Sequence, residues 1–194
     1  MKRLSLLGGV LALAFAGCGL ISSPPIDNPF GLAGQQTQVS LGPNSQATGN
    51  LSVNATFNDT TLNLPVTPTG FNYSLAIQNV SFSGCPSTPP QTVSVSMSVS
   101  ATIQDNPASG SRQATASASN VQFTLTQSGS SYTVSNLTGG SLSFSNLQTL
   151  LDILQNGGQN TASLSGTVNT TSNPDLAGCT MTITWGGGQG VLKF

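Results

Sequence analysis

The stretch Val93-Ser-Val-Ser-Met-Ser-Val-Ser-Ala-Thr-Ile103 decides the fold. Val93, Val95, Met97, Val99, Ala101 and Ile103 share one parity; Ser94, Ser96, Ser98, Ser100 and Thr102 share the other. Successive side chains of a strand point to opposite faces, so the alternation predicts a strand with one apolar and one hydroxyl face. It is roughly twice the usual strand length. Asp105-Asn106-Pro107-Ala-Ser-Gly110 then has the make-up of a turn. The return run places Ala114, Ala116 and Ala118 on one parity and Val121, Phe123 and Leu125 on the other. The change of phase near Asn120 predicts a β-bulge in a long, bent antiparallel hairpin.

The period of two continues on both sides of this hairpin. Upstream, Leu51, Val53, Ala55 and Phe57 alternate with polar residues. Leu62 and Leu64 suggest a short strand stopped by Pro65 and Pro68. Phe71, Tyr73, Leu75 and Ile77 alternate, and Val80 and Phe82 then take the other parity, which predicts a second bulge near Gln78-Asn79. Downstream, Tyr132 and Val134 begin another strand, and Ala162–Thr170 and Cys179–Trp185 are two more. Gly186-Gly187-Gly188 reads as a hinge before a last short strand at Val191–Phe194. Even spacing and regular turn signals predict an all-β domain. The expectation is an antiparallel curved sheet, sandwich or barrel of about 8–10 strands.

One segment departs from this period. Leu147, Leu150, Leu151 and Leu154 recur at helical spacing, with Ile153 widening the apolar face. Ser145 and Gln148 fit a capping box and Gly157-Gly158 a stop, so a short helix is expected over about 145–156.

Composition narrows the function. Charged residues are 5% of the chain, against about 25% in an ordinary globular protein. Ser, Thr, Asn and Gln make up more than two-fifths of it. Beyond the first residues the only cations are Arg112 and Lys193, against five aspartates. Such a chain has no field to attract nucleic acid. There is no His and no Glu, which removes Ser-His-Asp and Cys-His nucleophile systems and histidine metal sites. The aspartates lie in turn-like, tether or helical contexts, and no defined calcium loop is present. No catalytic residue, metal or cofactor is therefore assigned, and no enzyme is expected.

The N-terminus supplies an address. Lys2 and Arg3 precede an apolar run, Leu4–Ala16, that is shorter than the roughly 20 residues needed to span a bilayer. The run ends Ala14-Phe15-Ala16-Gly17-Cys18, which resembles the lipobox of bacterial lipoproteins. The resemblance covers the leader alone. It implies a signal peptide over 1–17, cleavage before Cys18 and lipidation of that cysteine. It also implies export and anchoring to the cell membrane or outer membrane, facing the periplasm or the cell surface. Gly19 is permissive for outward transport under that family's best-known sorting rule. Ala14-Phe15-Ala16 is also an A-x-A site, and cleavage there would release a free secreted protein. With Cys18 lipidated, Cys85 and Cys179 remain, and in an exported protein they are expected to pair. Residues 18–36, rich in Pro, Gly and Ser, read as a flexible tether with ends roughly 20–25 Å apart. Residues 37–194 read as a single β domain.

Two functions from different classes fit these features. The first is a lipid-anchored, non-enzymatic structural or interaction module of the cell envelope, with an envelope protein or surface polymer as partner. The second is a carrier of a lipid or other apolar small molecule in a barrel capped by the helix. In that case Met97, Val99, Leu147, Leu150, Leu151 and Leu154 would line a void of more than about 300 Å³.

Overall fold

The computed structural model describes residues 22–42, 47–58, 62, 64, 66–105, 112–155 and 158–194. The strands are β1 (Ile26–Asp27), β2 (Gln36–Ser40), β3 (Ala47–Asn58), β4 (Gly70–Ser74), β5 (Ile77–Ser83), β6 (Thr92–Gln104), β7 (Gln113–Ser128), β8 (Ser131–Thr138), β9 (Ser141–Ser143), β10 (Gln159–Thr171), β11 (Thr180–Trp185) and β12 (Gln189–Lys193), with one helix, α1 (Leu147–Leu154). The fold is all-β, as expected. The strands beyond the expected number include β1 and β9, which are too short to carry a readable period.

Eight strands form one antiparallel sheet in the order β2-β11-β5-β8-β7-β6-β10-β3. Its two outer strands, β2 and β3, are consecutive in the chain and pack together. The Gly42 N–H donates to the Thr48 carbonyl at 2.9 Å across the seam. Side-chain space there is so small that a Cβ on Gly49 would collide with Val39 and the Ser40 carbonyl. The sheet is thus a nearly closed barrel. A second sheet, β1-β12-β4-β9, adjoins it.

Both predicted bulges are present. Met97 pairs with Val121 but Val99 with Ala118, so Ser119 and Asn120 together oppose Ser98. The extra residue lets Ala114, Ala116 and Ala118 face the core on one side of the bulge, and Val121, Phe123 and Leu125 on the other. Thr184 pairs with Asn79 and Trp185 with Ile77, which leaves Gln78 as the extra residue of β5.

The run from Phe71 to Phe82 is, however, divided between the two sheets. The chain leaves the small sheet after β4 and enters the large one at β5. Its neighbour makes the same crossing from β11 to β12. The Gly186 N–H donates to the Ala76 carbonyl at 2.9 Å, where the two crossings meet. Gly188 has φ +62°, and any side chain there would run into Tyr73 and the Ser74 carbonyl. The Tyr73 hydroxyl donates to the Gly187 carbonyl at 2.9 Å. The three glycines expected to form a hinge instead make a packed corner.

Three further expectations are corrected. Residues 22–35 belong to the folded body, although the sequence suggests a flexible tether as far as 36. Ser22 bridges Lys193, and β1 pairs with β12. Phe30 and Leu32 are both only 1% exposed. The Pro/Gly-rich composition reflects turns, with Asn28 at φ 47° and Gly31 at φ 68°, while two isolated apolar side chains hold the segment down. Leu62 and Leu64 are not in a strand. The helix is also shorter than expected, and its cap is Asn146, whose side-chain oxygen accepts from the Thr149 N–H at 3.4 Å. The Ser145 hydroxyl instead donates to the Thr115 carbonyl, and the Gln148 amide to Asp152, so no capping box forms. Gly157 lies outside the described residues.

Candidate functional site

The seams of the fold are sealed by polar contacts. Trp185, fully buried, donates its indole N–H to the Thr37 hydroxyl at 2.8 Å. Asn160 donates to the Ile153 carbonyl near the end of α1 at 3.1 Å. The Tyr132 hydroxyl donates to the Pro90 carbonyl at 2.6 Å. Burial pushes both phenols above the ordinary tyrosine range, Tyr73 farther than Tyr132.

The sequence-predicted site residues fall into three groups. Cys18 lies outside the described residues. Cys85 and Cys179 form a disulfide with Cα atoms 4.2 Å apart. The candidate ligand-binding residues lie on the core side: Met97, Val99, Leu150, Leu151 and Leu154 are buried, and Leu147 is partly buried against the same cluster. α1 packs on β6 and β7. Residues lining a ligand-sized void would expose surface into it. Val93, Ile103, Ala114, Leu150, Ile153 and Ala162 each expose 0%. Other atoms of the chain cover them, while Leu151 also borders an open surface pocket of about 260 Å³ with Leu64, Val66, Gln148 and Gln155.

The aspartates are likewise engaged. Asp105, 1% exposed, accepts from the Arg112 backbone N–H at 2.9 Å and from its Nε at 2.7 Å. This ion pair fastens the mouth of the β6–β7 hairpin. The sequence shows only turn residues there, because nothing in a linear reading says that Asp105 is buried. Asp27 accepts from Gln189, Asp152 from Gln148 and Asp175 from the Ala177 N–H. Asp59 lies outside the described residues. Among the described residues no three His, Cys, Asp or Glu side chains cluster as metal ligands.

The outer surface of β3, β10, β6 and β7 is what remains. Register aligns its polar residues in rows across four strands: Ser52, Ser165, Ser100 and Ser117 in one, Asn54, Ser163, Thr102 and Thr115 in the next. Neighbouring rungs pair in places, as Ser98 does with Thr167 at 2.8 Å and Ser163 with Asn54 at 2.6 Å. Strand geometry spaces such a grid at about 4.8 Å across strands and roughly 7 Å along them. No charged side chain lies in these rows.

At one end the face becomes concave. Thr138 pairs with Gln122 but Ser135 with Thr124, so Asn136 and Leu137 together oppose Phe123, with Asn136 at φ 55°. This bulge in β8 borders an open groove of about 460 Å³ presenting Ser94, Ser96, Gln122, Thr124, Asn136 and Thr138. The hydroxyl row of β6 is legible in the sequence; the groove is not. Its lining runs over four neighbouring strands, β8, β7, β6 and β10, and only the sheet order brings Thr171 of β10 beside Ser94 and Asn136.

No family model matches the chain, and no curated protein matches it.

Proposed function

We propose that this protein is an exported, lipid-anchored module of the cell envelope that acts by interaction and not by catalysis. In this reading Cys18 carries the lipid and the neutral polar face of β3, β10, β6 and β7 is the working surface. The observation that carries the reading is that face: a continuous grid of hydroxyls and amides, uncharged, backed by a core filled with the chain's own side chains. A surface of that chemistry complements an uncharged, hydroxyl- and amide-rich partner such as a surface polysaccharide or an envelope protein with a similar face. The Cys85–Cys179 disulfide supports export, because such bonds persist in oxidising compartments. The filled interior is why the carrier reading is not preferred.

The test has two parts. Intact mass of the protein purified from its own membranes should report an acylated Cys18; an unmodified start at Gly17 would refute the anchor. Cosedimentation of the soluble domain with isolated envelope polymer should then be measured. Replacing Ser100 and Ser165 by Glu puts two charges into the grid and should abolish retention while the domain stays folded. Unchanged retention would dismiss the face as the working surface.

A further inference from the structure

We infer that the anchored protein stands on the bilayer in one orientation, with the β1–β12–β4 edge of the small sheet facing the lipid. This rests on lipidation of Cys18 and adds what the docked N-terminal segment imposes. A flexible tether to residue 36 would let the domain tumble. The chain is instead fastened from Ser22 onward. Ser22 bridges Lys193, the Ser23 N–H donates to the Leu192 carbonyl at 2.9 Å, and the Leu192 N–H returns a bond to the Ser23 hydroxyl at 3.0 Å. Pro24 and Pro25 stiffen the next step. Phe30 and Leu32, buried in the core, prevent the segment from peeling away without exposing them.

From Cys18 to Ser22 is four residue steps, which even fully extended span no more than about 14 Å. The acyl chains therefore enter the membrane within that distance of Ser22. Thr69, whose N–H donates to the Lys193 carbonyl at 2.7 Å, lies at the same edge. Among the described residues the charged side chains of that edge are Lys193 and Asp27, opposite in sign, so charge gives the edge no net pull towards the membrane. The short leash alone decides. The other end of the ribbon that starts at this edge is also defined. The β4–β5 and β11–β12 ribbon runs from Gly70 and Lys193 to Ser83 and Thr180, next to the disulfide. The Ser128–Ser131 turn lies at that far end, tied to residue 91 by the Gln127 N–H. The far end is presented away from the lipid.

The lipidated full-length protein carrying Thr69→Cys or Ser130→Cys offers a free thiol at an exposed site at each end. With a thiol-reactive dye and phosphatidylcholine vesicles doped with a headgroup-nitroxide lipid, the dye at 69 should be quenched several-fold more than the dye at 130. Inserting a twelve-residue Gly-Ser segment before Ser22 adds roughly 20 Å of reach and should remove most of that difference. Equal quenching at both sites with the natural leash, in protein whose intact mass shows an acylated Cys18, would overturn the orientation alone. A mass showing no acyl group would overturn the anchor, and the orientation with it.

Discussion

The wall formed by β3, β10, β6 and β7 and the small sheet formed by β1, β12, β4 and β9 are held together differently. The wall consists of long neighbouring strands whose inner faces are mostly Val, Ala and Leu, and each strand is paired along nearly its whole length. Its stability is spread over many similar rungs. The small sheet collects four short segments from remote parts of the chain. An aromatic cluster centred on Phe30 packs β4 and the end of β9 against Phe57 of β3. Phe30 lies 4.9 Å from Tyr73, 5.6 Å from Phe144, 5.7 Å from Phe57 and 6.0 Å from Phe71, ring centre to ring centre. Repetition holds the first region, and a few large side chains hold the second. The first should therefore tolerate single changes that the second does not.

The disulfide lies at the far end of the β4–β5 and β11–β12 ribbon and joins residues 94 apart in sequence, so its loss should have the largest effect. Replacing Cys85 and Cys179 together by Ser should lower stability to chemical denaturation by about 4–5 kcal/mol in the chain-entropy picture of a loop of this length. Phe30→Ala should follow, at about 3–4 kcal/mol. Hydrogen exchange would show where that loss falls. The amides of Ser23 and Asn28 should lose protection while those of β6 keep theirs, and uniform loss would contradict the division drawn here.

Within the wall, the sensitive point is close backbone approach. A Cβ at Gly166 would press on the Ser98 carbonyl and the Val99 Cα. Gly166→Ala should cost about 1–3 kcal/mol in the same denaturation assay.

Tyrosine ionisation contrasts the small sheet with β8 of the large one. The buried phenols of Tyr73 and Tyr132 are held neutral in the folded state, so the unfolded chain loses its phenolic protons first. Stability should be unaffected below the ordinary tyrosine pKa of about 10 and fall as pH rises above it. Tyr73→Phe should cost about 1 kcal/mol at neutral pH for the lost bond to Gly187 and flatten the alkaline limb. Tyr132→Phe should flatten it less, and the reverse order would show that the small sheet is not the more tightly sealed. The smallest effect is expected at Ser100→Ala on the polar face, within about 0.5 kcal/mol.

The wall was legible in the sequence; of the small sheet, the strands at Phe71–Tyr73 and Val191 were legible but their pairing was not. Val93 to Ile103 declares its two faces by alternation, and the parity changes at Asn120 and Gln78 mark real bulges, because a strand must alternate and an extra residue must break the pattern. The helix was visible from its leucines, but its cap was misplaced by one residue, since Ser145 is drawn off to Thr115. The segment from Ser22 to Gln35 reads as part of a tether in the sequence because Pro, Gly and Asn report turns and say nothing about whether Phe30 finds a core. At the candidate site, the hydroxyl row of β6 could be read directly. Its extension over β10 and β3, the groove beside Asn136 and the burial of Asp105 depend on which strands become neighbours.

The sequence by itself determined what depends on local period and composition: the all-β class, the bends of its longest hairpin, the neutral polar surface and the absence of histidine chemistry. It also marked Cys85 and Cys179 as an expected pair. The tertiary structure alone decided how the strands are partnered, how the chain passes from one sheet to the other at a glycine corner, and that the N-terminal segment docks at Lys193. The physical reason is separation along the chain. Period and turn chemistry act over a few residues, while pairing Ser22 with Lys193 or Phe30 with Phe144 depends on the path of everything between them.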